Sequence, residues 1–175
     1  MARIIGTAVA VIVLIAAAAL AYIFSGSYYV GADRPHWTVT AWLLGQARDR
    51  SIDEHAEGIA VPAGLDAPEK IVEGVGHFAE HCVLCHGAPG VSPGEIARGL
   101  NPRPPDLKDL AASESPGELF WAIKHGIRMS GMPAWSEHGD DELWSIVAFI
   151  EKLPGMTEPD YAALLAASRA RGGHR

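Results

Sequence analysis

The sequence predicts an all-α protein, a small helical domain preceded by a transmembrane helix. Residues 4–24 form a run of 21 residues without a charge. Beyond residue 66, apolar residues recur at helical spacing in three separate segments. No alternating strand pattern of useful length appears anywhere in the chain. The expected organisation is an anchor at 1–25, a connecting region with a short helix at 26–66, the helical domain at 67–154 and a C-terminal helix or tail at 155–175.

The apolar run, IIGTAVAVIVLIAAAALAYIF, would reach about 31 Å as a helix, enough to span a hydrocarbon core. It has no polar face, which argues against a buried core helix. A cleaved signal peptide is the rival reading, but the apolar region of a signal usually runs only about 7–15 residues. Tyr22, Tyr28 and Tyr29 cluster where the helix would leave the lipid. Arg3, the one charge before residue 25, favours a cytoplasmic amino terminus, with everything after the helix on the far side of the membrane.

Setting Arg3 aside, 13 Lys and Arg stand against 21 Asp and Glu, a net charge of −8 with histidines neutral. Nucleic-acid binding is disfavoured, since it needs a cationic face that displaces counterions. In the connecting region Pro35 stands near a helix start, and Trp37, Ala41 and Leu44 share one face that Trp42 and Leu43 widen. This stripe is expected to pack on the chain's own domain; the rival reading is a juxtamembrane helix that docks on a membrane partner. SIDE, residues 51–54, has the form of a capping box and would begin a second short helix.

The domain itself should open with a helix capped by Asp66 and Glu69, with Ile71, Val75 and Phe78 on one face. Ser115, Pro116 and Glu118 start another, PGELFWAIKH, which Gly126 can stop. DDELWSIVAFIEKL is the third, with acidic residues in its first turn and Lys152 and Pro154 at its end. Between the first two lies GAPGVSPGEIARGLNPRPPDL, read as a long irregular loop. Such a loop in a small domain needs something to pack against, and a large cofactor would supply it.

EHCVLCHGAPG holds the only two cysteines, Cys82 and Cys85, followed directly by His86. A structural zinc site wants four protein ligands, and there is no second cysteine pair. A thioredoxin-like pair should sit beside a βαβ pattern, which is lacking. Cys-x-x-Cys-His is the haem attachment signature. On a helical turn Cys82, Cys85 and His86 fall at i, i+3 and i+4 and share one face. Two thioethers to the porphyrin and an imidazole to the iron can then come from one turn. Met132 and Met129 are both near enough in sequence to be the second axial ligand. Pro133 biases Met132 to an extended conformation, as suits a loop methionine turned inward. His77, His81, His125 and His138 are read as surface or supporting residues and given no role.

Over residues 67–153 the chain resembles the mono-haem class I c-type cytochromes, including those tethered to bacterial membranes. CVLCHG matches the haem motif, GMPAW looks like the distal methionine loop, and DDELWSIVAFIEKL is similar to the final helix. The resemblance implies one covalently attached haem c, with Cys82, Cys85, His86 and Met132 as its binding residues and His86 and Met132 on the iron. It further implies that a proline carbonyl of NPRPP orients His86, and that the region 74–78 crosses Trp144 and Phe149.

A saturated iron offers no open position for substrate, so the expected role is a one-electron carrier or a subunit of a respiratory complex rather than an enzyme. The alternative, should Met132 be absent from the iron or displaceable, is a haem-based gas sensor or a peroxidase-like protein. Expected partners are redox proteins, a membrane-bound oxidase or dehydrogenase among them, and the membrane itself. The expected location is a bacterial inner membrane, crossed once, with the haem domain in the periplasm.

Overall fold

The computed structural model describes residues 1–172; the last three residues of the expected 155–175 tail lie outside the described residues. Among the described residues there are nine helices and no strand. The chain divides into two compact units, Met1–Ala32 and Asp33–Arg175.

The first unit is α1 (Ala2–Phe24) and the turn that follows it. None of its 23 residues is buried, and among the described residues it is the one helix long and apolar enough to cross a membrane. The helix stops where Ser25 Oγ donates to the carbonyl of Tyr22 at 2.7 Å. Tyr22 and Tyr28 meet edge to face, their centroids 6.2 Å apart.

In the second unit α2 (Thr38–Ala56) runs unbroken through Ser51–Ile52 and Asp53–Glu54, so the second helix expected there does not form. No glycine or proline interrupts residues 46–56, and extending a helix costs less than nucleating a new one. The apolar stripe also departs from expectation. Trp37, Trp42 and Leu43 are 72%, 62% and 54% exposed, so it does not pack on the domain. The opposite end does: Ala56 is buried, and His55 lies against Trp121 with centroids 5.4 Å apart.

The helix α3 (Pro68–His81) starts at Ala67 rather than on an Asp66 cap, with Pro68 setting the first-turn geometry. It packs across α8 (Asp140–Ile150), in which every residue from Leu143 to Ile150 is buried. Gly74 makes the crossing possible: a Cβ there would lie 1.8 Å from the carbonyl oxygen of Ser145. Beside it Phe78 meets Phe149 at 4.8 Å, and both are fully buried. Each such side chain contributes roughly 1.5–3 kcal/mol by leaving water. Trp144, expected at this crossing, has a different ring partner: it stacks on Phe120 of α7 (Pro116–His125) at 4.2 Å.

The helix α7 begins with the reciprocal cap expected of Ser115 and Glu118, whose backbone and side-chain bonds are both present, and ends at Gly126. α9 (Glu158–Ala170) has the same kind of start at Thr157 and Asp160, and sets Tyr161 into the core beside Phe149. The intervening segments hold α4 (Val83–His86), α5 (Glu95–Gly99) and α6 (Leu107–Ser113). The loop expected to be irregular thus contains a short helix and leads straight into another.

Candidate functional site

Cys82 ends α3 and α4 follows at once, so the cysteines and the histidine come from a single change of direction. The backbone N–H groups of Cys85 and His86 both donate to the carbonyl of Cys82, at 3.0 and 2.9 Å. That closes one helical turn and fixes the three side chains at the i, i+3, i+4 spacing. Both cysteines are free and half-buried. Burial, with the neighbouring Cys85 adding to it, pushes the Cys82 thiol up to about 12. A thiol held protonated in this way is unlike the exposed, electropositive thiolates of redox pairs.

His86 is clasped from outside the turn. Its Nδ1 lies 3.0 Å from the carbonyl oxygen of Pro105, and because a carbonyl can only accept, Nδ1 carries the proton. Nε2 then presents its lone pair. Burial lowers the pKa of His86 first, against the raising effects of the Pro105 bond and the charge of Asp106, so the neutral ring is favoured. An imidazole oriented through its second nitrogen is the usual arrangement of a metal-ligating histidine.

Met132 sits in a clamped loop beyond α7. Its carbonyl accepts from the N–H of Ile127 at 3.2 Å, and its N–H donates to Ser130 Oγ at 3.1 Å, whose hydroxyl in turn donates to the Ile127 carbonyl. Gly126, at φ +64°, lets the chain fold back so closely that a Cβ would lie 2.6 Å from the backbone of Pro133 and Ala134. Met132 is half-buried against the core. Met129 is 72% exposed.

A cavity of about 520 Å³ lies on the Pro105 side of His86, between 87–93 and 104–108. Cys82, Cys85 and Met132 do not line it. Of the histidines given no role, His125 is exposed and rests against Trp121 at 5.0 Å. The other three gather around Glu142: its Oε1 lies 3.1 Å from His77 Nδ1 and 2.5 Å from His138 Nδ1, while the ring of His81 is 5.3 Å from that of His138. Sequence reasoning missed Glu142, although its i+4 spacing from His138 was visible. It narrowed the clasp on His86 to NPRPP without reaching Pro105.

A family model described as cytochrome C oxidase, cbb3-type, subunit III matches residues 69–150. That segment is a c-type cytochrome domain. No curated protein and no solved structure matches the chain at a significant level. The domain's residues fit a haem on their own chemistry. The two free thiols share one turn with a neutral imidazole whose outer nitrogen is already held by Pro105, and a thioether is packed inward from a separate, clamped loop.

Proposed function

We propose that the chain is a membrane-tethered one-electron carrier serving an oxidase complex. Residues 1–25 anchor it in a bacterial inner membrane and residues 67–154 carry one haem c on the periplasmic face. Bound haem supplies the ferrous–ferric couple. Cys82 and Cys85 would hold it by thioethers, and His86, through Nε2, and Met132 would be its iron ligands. With both ligands supplied by side chains, the haem would exchange electrons with no position left for a substrate, and the protein would not itself be an enzyme.

The observation that carries this reading is the clasp of His86 by Pro105, which leaves one lone pair directed from a turn that also holds both thiols. The exposure of Met129 against the half-burial of Met132 supports the choice of methionine. The described name of the matching family supports an oxidase as the partner. The test is to purify the native complex from detergent-solubilised membranes through a tag on this chain. Co-purification of an oxidase that oxidises the chain's haem on exposure to oxygen is expected; a solitary chain would remove the oxidase from the account.

A further inference from the structure

We infer that His77, His81, His138 and Glu142 form a second metal site, for a divalent transition ion of the zinc class, distinct from the haem residues. The end of one helix meets the start of another there. His77 and His81 stand one turn apart at the end of α3, while His138, in the turn before α8, and Glu142, in its first turn, stand four residues apart. Ligand atoms of His77, His81 and Glu142 all lie within 4.8 Å of one another. His138 adds a fourth donor, its Nδ1 already 2.5 Å from Glu142 Oε1.

The distances suit such an ion. Two ligands about 2.05 Å from a tetrahedral zinc stand about 3.3 Å apart. The contact of His77 Nδ1 with Glu142 Oε1 is 3.1 Å, so that edge needs almost no change. The His138 edge must lengthen, and among His77, His81 and Glu142 the widest pair must close by no more than about 1.5 Å, within reach of rotation of the partly exposed His81 and Glu142 side chains. Three imidazoles and one carboxylate are a borderline donor set, which favours zinc-class ions over magnesium or calcium. Packing restrains the donors as well: the ring of Trp135 lies 4.8 Å from His81 and 5.3 Å from His138. The nearby lysines do not compete for the centre, because Lys70 pairs with Asp141 and Lys124 with Asp140.

A metal here would pin the crossing of α3 and α8 one residue before Cys82. The test uses the full-length, haem-loaded protein without a histidine tag, stripped by chelator and titrated with zinc alone by equilibrium dialysis with elemental analysis. One zinc per chain is expected. Binding should weaken at least tenfold in Glu142→Gln and in His138→Ala, both on partly exposed positions, and be unchanged in His125→Ala. Zinc should raise the thermal midpoint of the parent and not that of Glu142→Gln. Absence of stoichiometric zinc, or zinc that persists in Glu142→Gln together with His138→Ala, would overturn the assignment. The haem spectrum, recorded in the same samples, reports independently on the attachment turn.

Discussion

The Cys82–His86 turn and the Met132 loop hold the proposed haem-binding residues by different means. The turn is local: five residues, 82–86, closed by two backbone bonds to one carbonyl, and held from outside by Pro105 at His86 and by the Gly94 N–H at the Leu84 carbonyl. The loop draws on a longer stretch of chain, and at Gly131 it lies so close to Leu100 that a Cβ would meet its Cδ1 at 2.5 Å. It relies on the end of α7, on the fold-back at Gly126 and on the hydroxyl of Ser130 to present Met132. A single helical turn has little backbone to adjust, whereas a loop closed by a glycine fold-back and one hydroxyl is only as fixed as the weakest of those contacts. The methionine side should therefore be the adjustable half of the site.

The sharpest test of the turn is to remove its thiols. Cys82→Ala with Cys85→Ala should abolish covalent haem altogether, read as loss of haem staining on a denaturing gel. Staining that persists would mean that the turn is not the attachment point.

Next in size, Met132→Ala should leave attachment intact while opening the distal position. The reduced protein should then bind carbon monoxide and its potential should fall, since a thioether favours ferrous iron. Met129→Ala should do neither, being exposed. A parent protein that takes up carbon monoxide readily would favour the gas-binding alternative instead.

A smaller effect is expected from Gly126→Val, which meets the backbone of Pro133 and Ala134 and holds a β-branched residue at positive φ. The cost should be about 1–3 kcal/mol, measured by chemical denaturation. Because only the loop is disturbed, haem staining should stay at the parental level while carbon monoxide reactivity rises. Equal loss of both would erase the distinction between the halves.

The weakest effect concerns the turn before haem is attached. His86 has its pKa lowered in the folded chain, so below about 6.5 the unfolded chain takes up the proton first. The haem-free chain should lose stability as pH falls below that value, and His86→Gln should flatten the slope. Stability that rises on acidification would contradict the neutral, Pro105-bound ring.

Much of this was legible in the sequence wherever a short-range rule applied. Ser115 and Glu118 marked the start of α7, Gly126 its end, and the spacing of Cys82, Cys85 and His86 the shared face of one turn. Rules of the same kind failed where a competing local preference was as strong. SIDE looks like a helix start but lies inside α2, where an existing helix is cheaper to continue. Asp66 looks like a cap but loses to Pro68.

By itself the sequence determined the apolar helix, the helical composition of the domain and the turn that carries Cys82, Cys85 and His86, because each depends on residues within about a turn of one another. Tertiary structure alone decided which carbonyl holds His86, that Met132 and not Met129 is sheltered, and that His77, His81 and His138 converge on Glu142. It also decided that α8 is buried along its length while the tryptophans of α2 stay exposed. Both carry apolar stripes. Only α8 meets a surface shaped for it, at a glycine whose missing Cβ lets Ser145 approach. Such contacts join residues far apart in the chain, and no local spacing records them.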